Sequence, residues 1–452
     1  QVHAARVALL QHKMSVFDYP LRALINDQVQ SIKNTFEPLG ISVEVLNGET
    51  DLSSREDLFA RMRNNELDIV LTTPEFFSLH ADQFVAVQNI SFVVFDEAHH
   101  VGMNASEGRL AYAQMPQVLK MLGSPQVLAT TATATTQAAQ NICQLLSIEA
   151  EYVYKDKTAR SNLELKDLRG AKDRECALLS LVSDGTKTVV YVNSREQAQA
   201  LTRMLRHRIP ELGHKIAFYH AGLTPQIRKN VERAFRRGDV CCIIATSAFG
   251  EGVNISDIRQ VILYHLPFGR VAFNQMSGRA GRDGKPSVIQ MLFDAHDMRV
   301  NECILSSHAP QREALVAVYR ALTALQPKLG AQTADSALTD EDIAQMALEI
   351  DPRSKADEQT VRVALDVFAE LGFISIEGFN QTRTISVNSQ ASHMDLLESA
   401  RYAEGLKAHA EFESFAQWVL SASPDELADA ITKPIVPEIG STFDGGRESS
   451  DE

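Results

Sequence analysis

The sharpest chemical signal in the sequence is Asp96-Glu97-Ala98-His99, which directly follows the apolar run FVVF at residues 92–95. A buried parallel strand that ends in two carboxylates sets them at the C-terminal edge of its sheet, where α/β folds bind ligands. One acid can hold Mg²⁺, through water, while its neighbour polarises a water against a phosphoryl group. In that reading Asp96 is the metal-binding acid and Glu97 activates the water. Standing alone, such a pair is more often a solvated strand edge.

A second cluster runs Gln275-Met276-Ser277-Gly278-Arg279-Ala280-Gly281-Arg282-Asp283-Gly284. Two arginines three apart share one face of a helix, and the glycines allow close backbone approach. Such a pair suits the charge on a transferring phosphoryl group. Arg279 and Arg282 would then be fingers reaching across to a nucleotide held on another domain. The alternative is a basic helix that is solvated or bound to nucleic-acid phosphate. Two weaker signals are Thr130-Thr131-Ala132-Thr133, which either relays nucleotide state to a cleft or caps the next helix, and Thr73-Pro74-Glu75, as good a helix start as a phosphate contact.

The elements that must position these residues repeat a single beat. The runs SVFDY (15–19), SVEVL (42–46), DIVLTT (68–73), SFVVFDE (91–97) and QVLATTA (126–132) predict buried parallel strands, with helix-like segments between them. KTVVYV, KIAFYH, VCCIIAT, QVILYH and VIQMLF resume the pattern over residues 187–295. The fold class is therefore α/β, with two successive parallel-sheet domains. Residues 155–174, charged and weakly patterned, predict a connector. Gly185-Thr186-Lys187-Thr188 precedes a strand and is a connector too. Beyond a Pro/Gly/Ala/Gln-rich break at 326–336, amphipathic stretches at 339–350 and 360–371, the latter stopped by Gly372, lead into FISIEG and TRTISV, which predict a hairpin. Helix, helix, hairpin is a winged-helix outline. Residues 396–421 predict helix, and 434–452, acidic and rich in Gly and Ser, predict disorder.

Charge divides unevenly along the 452 residues. Residues 1–150 carry 9 Lys and Arg against 16 Asp and Glu, residues 151–310 carry 24 against 17, and residues 311–452 carry 11 against 25. The basic middle third is the candidate for holding phosphates and the acidic last third is not; the alternative is charge that only solvates surfaces. The five cysteines show no zinc spacing and suit a reducing cytoplasm. No apolar run approaches the roughly 18 residues of a membrane helix, and residues 1–11 lack the marks of a signal peptide. No membrane role and no cysteine zinc module are expected.

The order of the motifs resembles that of superfamily 2 helicases: PLRALINDQ (20–28), TTPE (72–75), DEAH (96–99), TAT (131–133), VVYVNSRE (189–196), YHAGL (219–223), ATSAFGEGVNISDIR (245–259) and QMSGRAGRDG (275–284). The likeness covers about residues 1–300, and the last two motifs are similar to the RecQ branch. It implies two tandem RecA-like parallel-sheet domains, at 1–156 and 157–309, then a small α+β winged-helix-like module at 310–395 and a helical segment with an acidic tail at 396–452. It also implies ATP and Mg²⁺ bound between the first two domains, a 3′-to-5′ DNA helicase activity, and a role in DNA repair or recombination in the cytoplasm. Gln275 and His99 would communicate across the cleft, with Gly250 and Gly252 lining it. Arg22, Thr73, Arg109, Asn193, Arg195, His220 and Thr246 would lie near single-stranded or partly duplex DNA or the domain interface, reading phosphate and sugar.

Three departures qualify the resemblance. No G-x-x-x-x-G-K-[ST] phosphate loop occurs; with Val2 to Gln11 read as the helix that follows such a loop, the missing residues are expected just upstream of Gln1, and the chain alone is expected to hydrolyse little ATP. In the stretch after DEAH, Arg109 and Tyr112 stay in register, but Asn104 and Gly108 stand where the family has aromatics. The zinc module expected of the family is missing. The C-terminal part resembles, less specifically, a helicase region fused behind RecJ single-stranded-DNA exonucleases, and a nuclease would then lie upstream. The rival reading is a non-hydrolysing nucleic-acid clamp or scaffold that keeps the helicase fold.

Overall fold

The structure, a computed structural model, describes residues 2–20, 22–101, 110–250, 255–306, 310–329, 339–377, 384–388 and 395–442. Two compact units divide them. The first comprises residues 1–293 and 422–452, the second residues 294–421.

The first unit holds two parallel sheets. Helix α1 (Val2–Gln11) leads into β1 (Met14–Asp18), α2 (Arg22–Phe36), β2 (Val43–Val45), α3 (Leu52–Arg63) and β3 (Ile69–Thr72). Then come α4 (Pro74–Leu79), α5 (Ala81–Val85), β4 (Ile90–Phe95), α6 (Leu110–Met121), β5 (Gln126–Ala129) and α7 (Thr136–Leu146). The five strands lie in the order β2-β3-β1-β4-β5, all parallel. Burial on both faces is why these strands read as apolar runs rather than alternations. Val16 joins a core with Phe77, Phe84 and Phe95, while its neighbour Phe17 joins another with Ile25, Phe36 and Phe92. Side chains of this kind contribute roughly 1.5–3 kcal/mol each when fully buried. β5 ends the order and is the exposed exception, with Leu128 43% accessible.

The second lobe follows β6 (Tyr154–Lys155). It comprises β7 (Leu163–Asp167), α8 (Arg174–Val182), β8 (Thr188–Tyr191), α9 (Arg195–Arg208), β9 (Ile216–Tyr219), α10 (Pro225–Arg237), β10 (Cys242–Ala245), β11 (Gln260–Leu263), α11 (Arg270–Ser277) and β12 (Ser287–Met291). Its six parallel strands run β7-β12-β11-β8-β10-β9. The stretch expected to be a mere connector thus contains β6 and the edge strand β7. In β7 only Leu163 is buried, so an edge strand with charged residues looks like a linker in sequence.

The second unit contains α12 (His296–Ser306), α13 (Arg312–Leu329), α14 (Asp340–Ile350), α15 (Glu358–Glu370), the hairpin β13 (Ile374–Glu377) with β14 (Thr384–Val387), and α16 (Ala400–Ser421). Thr339 and Asp342 form a reciprocal cap that starts α14. Gly372, at φ +73°, turns the chain out of α15. Val361, Ala364, Leu365, Phe368 and Leu371 pack with Leu315, Val318, Leu322 and Ile343 from α13 and α14.

The chain then re-enters the first unit as α17 (Pro424–Thr432) and β15 (Ser441–Thr442). Composition predicts disorder from residue 434 onward, yet residues 434–442 are ordered, and β15 pairs in parallel with β6. The apolar Pro434, Ile435, Val436, Pro437 and Ile439 are hidden within an acidic average. Among the described residues, no helix is long and apolar enough to cross a membrane.

Candidate active site

The turn after β4 is sewn to both neighbouring strands. The Asp96 N–H donates to Asp18 O at 3.0 Å, the Ala98 N–H to Thr130 O at 2.8 Å, and the Thr130 N–H to Phe95 O at 2.9 Å. Glu97 itself sits in the left-handed region, at φ 49° and ψ 46°. For a non-glycine residue this costs on the order of 1–3 kcal/mol, which the flanking bonds sustain.

The hydroxyls after β5 serve this turn. Thr130 Oγ1 donates to Asp96 Oδ1 at 3.1 Å, and Thr131 Oγ1 lies 3.0 Å from His99 Nδ1. Capping of α7 falls instead to Thr135, whose hydroxyl accepts from the Ala138 N–H. Of the two readings of the threonine turn, contact with the carboxylate motif is therefore the one the fold realises.

The two carboxyls are electrostatically unlike. Asp96 is pushed above its ordinary range, by burial first and by the Glu97 charge second. Glu97 is held below its range first by the neighbouring His99, against the opposing effect of burial, with the Arg279 charge adding to it. His99 Nδ1 and Glu97 Oε2 are 3.3 Å apart. An ionised base beside an acid burdened by a like charge suits one group for taking a proton and the other for meeting a cation.

Arg279 and Arg282 come from the other lobe, though not on a helical face as expected. Helix α11 stops at Ser277, and both arginines lie in the turns beyond it, where Gly281 takes φ +55°. The helix thus ends before either arginine is reached. A residue missed in the sequence holds these turns. The Arg160 guanidinium donates to Gly278 O at 3.0 Å, Ala280 O at 2.6 Å and Gly281 O at 2.7 Å. It gathers carbonyls of the turns beyond the end of α11. The cavity wall and the Arg279 charge bring Arg282 down to about 10, which leaves it fully charged at neutral pH.

Glu97, Thr130, Thr131, Gln275, Arg279 and Arg282 line one cavity of about 740 Å³ against the open edge of β5. Gln275 is therefore placed in the cavity wall, while the His99 ring is engaged with Thr131 and lies near Glu97. Gly250 borders Arg279: a Cβ there would sit 3.5 Å from Arg279 Nη2. Next to it, the Phe249 carbonyl accepts from the buried Tyr191 hydroxyl at 2.6 Å. Gly252 and Arg109 lie outside the described residues.

The residues expected near nucleic acid are dispersed. Arg22 is exposed and pairs with Glu49 at 3.4 Å. Thr73 is 4% accessible and precedes α4 with Pro74 in its first turn, so this segment is a helix start. Asn193 donates from its side chain to Leu266 O at 2.8 Å, tying the ends of β8 and β11 together. Arg195 and His220 do meet: the Arg195 charge and burial lower the His220 pKa, with burial the larger cause, and Gln199 Nε2 lies 3.2 Å from His220 Nε2. Thr246 follows β10, its N–H donating to Tyr219 O at 3.1 Å.

A carboxylate pair on one parallel-sheet lobe and an arginine pair on the next define a two-lobed helicase core. The family matches fall on the same two lobes, DEAD/DEAH box helicase over residues 3–142 and helicase conserved C-terminal domain over residues 172–284. Within this class the chain's relatives are RecQ-like helicases. The chain is 29% identical over 304 residues to the ATP-dependent DNA helicase RecQ of Pasteurella multocida, covering 65% of this chain and 46% of that one. It is 32% identical over 310 residues to the probable ATP-dependent DNA helicase RecS of Bacillus subtilis, covering 67% and 60%. The chain thus spans roughly half the length of these relatives. The solved structure of the DUF1998 helicase MrfA bound to DNA and AMPPNP shares the fold, with a TM-score of 0.54 at 20% identity over 65% of this chain and 44% of that one.

Proposed function

We propose that the chain is the core of an ATP-dependent, RecQ-like DNA helicase that moves 3′ to 5′ on DNA and serves repair or recombination in the cytoplasm. The observation that carries this reading is the single cavity lined by Glu97 from one lobe and by Arg279 and Arg282 from the other. The residues suit a magnesium–nucleotide substrate. Asp96 carries a carboxyl whose ionisation is opposed by burial and by Glu97, a strain that a cation relieves. Asp96 would hold Mg²⁺, which when bound neutralises charge on the phosphate oxygens.

Glu97 takes a proton from water as the water oxygen bonds to the γ-phosphorus and the bond to the β-phosphate oxygen breaks. Arg279 and Arg282 meet the negative charge that spreads over the transferring oxygens. His99 keeps Glu97 ionised for the task. Arg195, His220 and the basic second lobe supply sequence-independent contacts to the DNA backbone.

The second reading, a nucleic-acid clamp that does not hydrolyse ATP, rests on the absence of any G-x-x-x-x-G-K-[ST] from the 452 residues. Single-stranded-DNA-stimulated ATP hydrolysis, measured on this chain and on the full gene product, separates the two. The helicase reading expects turnover by the full product that Glu97→Gln abolishes, and little turnover by the chain alone. DNA binding without turnover in either supports the clamp.

A further inference from the structure

After α16 the chain returns to the first unit and crosses both of its lobes. On the second lobe, the Arg169 guanidinium donates to Ala422 O at 2.9 Å and the Asn274 side chain to Ala430 O at 2.8 Å, while Leu427, Ala430 and Ile431 of α17 are buried. Asn274 belongs to α11, the helix that leads to the arginine turns. At the crossing, Thr432 O accepts from the backbone N–H of Arg160 at 2.9 Å, the residue whose guanidinium holds those turns.

On the other side, Ile435 bridges in parallel to Thr133, and the Glu438 N–H donates to Thr136 Oγ1 at 3.1 Å. Lys155, 9% accessible, donates from Nζ to Pro437 O at 3.2 Å, and the Ser441 N–H donates to Val153 O at 2.8 Å. Gly440 is fitted to this path: at φ +82°, a Cβ would lie 2.4 Å from Val153 O. Pro434 and Pro437 reduce the freedom the segment loses when it docks.

We propose that residues 432–442 form a strap tying the arginine-bearing lobe to the carboxylate-bearing lobe and fixing the spacing across the cavity. The two ends are unequal. The α17 end is a helix with a buried apolar face, whereas the first-lobe end is a non-helical segment held through hydrogen bonds to its backbone, with Glu438 and Gly440 exposed. The first-lobe end is thus the one that releases when the lobes part, and the strap sets the cost of that opening. The inference rests on contacts alone and is read without nucleotide, so its failure is distinct from a failure of the catalytic reading.

The test is the interlobe distance distribution by pulsed electron paramagnetic resonance. Nitroxides go on the exposed Cys176 of the second lobe and on Lys120→Cys, an exposed position of α6 in the first, in a Cys143→Ala, Cys303→Ala background. The full chain should give one narrow distribution. Gly440→Val, and separately a chain ending at Lys433, should lose it for a broad one, while Glu438→Ala, which keeps every backbone bond, should retain it. Thermal unfolding identifies a variant that fails to fold, in which case the shortened chain carries the comparison. A narrow, unchanged distribution in a folded shortened chain overturns the proposal, as does equal broadening by Glu438→Ala.

Discussion

His99 reaches across from the strand-end turn of β4 to Thr131, its Nδ1 3.0 Å from the threonine hydroxyl oxygen. The same nitrogen lies 3.3 Å from Glu97 Oε2. One ring N–H cannot serve both acceptors fully. The turn after β5 and the Glu97 carboxylate therefore share one ring nitrogen, and anything that moves Thr131 bears on Glu97. That gives the threonine turn a physical route to the carboxylate.

The acid limb of the pH–rate profile follows from this competition. Glu97 is a base only when ionised, and the neighbouring His99 is the largest cause of its lowered pKa. His99→Ala should move the acid limb of ATP hydrolysis by the full gene product to higher pH. Thr131→Val, which frees the ring N–H for Glu97, should move it to lower pH. Rates measured from the carboxylate range upward check both directions, and matching shifts in the two variants would refute the competition.

Asp96 should trade stability for function. Its folded pKa is raised, so folding with the carboxylate ionised carries a penalty that is full above the folded pKa and absent below the unfolded one. Asp96→Asn keeps an acceptor for Thr130 and removes the penalty. The variant should lose hydrolysis and gain roughly 0.5–1 kcal/mol of stability at neutral pH, with the gain shrinking as pH falls through the carboxylate range. Denaturant midpoints at several pH values measure it.

Two glycines in the finger loop separate backbone strain from crowding. Gly284 has φ +79° and nothing within 4 Å of an added Cβ, whereas at Gly281, φ +55°, the Cβ would meet Asn162 Nδ2 at 2.5 Å, Ser287 Oγ at 2.6 Å and Lys285 O at 2.8 Å. Gly284→Ala should cost about 1 kcal/mol, from conformation alone. Gly281→Ala should cost roughly 2–4 kcal/mol. Thermal unfolding of the two variants tests the difference, and equal costs would mean that the Arg160 neighbourhood yields freely.

The carboxylate turn was legible because a buried parallel strand is an unbroken apolar run, and FVVF leaves no choice about where its sheet ends. The arginine cluster was misread as geometry, because α11 stops at Ser277, before Arg279. What stayed hidden depends on distance along the chain. Arg160 is one cation in a charged stretch, and its three carbonyl partners lie more than a hundred residues away. β7 was lost because Leu163 and Leu165 alternate with charges at a sheet edge. Asn193, expected near nucleic acid, is used in part to lock two strand ends together, a role its spacing could not announce.

Binding to DNA should separate Arg195 from Arg279. Arg195 is exposed at the first turn of α9, beside His220 at the strand ends of the basic lobe, whereas Arg279 lines the cavity with Glu97. If Arg195 contacts a backbone phosphate, Arg195→Ala should weaken binding to single-stranded DNA alike for all sequences and lower the slope of log K against log salt by about 0.7, the increment for one single-strand contact. Arg279→Ala should leave that slope unchanged while reducing ATP turnover by the full gene product by roughly 10³-fold or more. Fluorescence anisotropy of labelled oligonucleotides across a salt series gives the slopes. Should Arg279→Ala lower the slope as Arg195→Ala does, the arginine turns would be holding DNA phosphate rather than the nucleotide, and the assignment of Arg279 to phosphoryl transfer would fall.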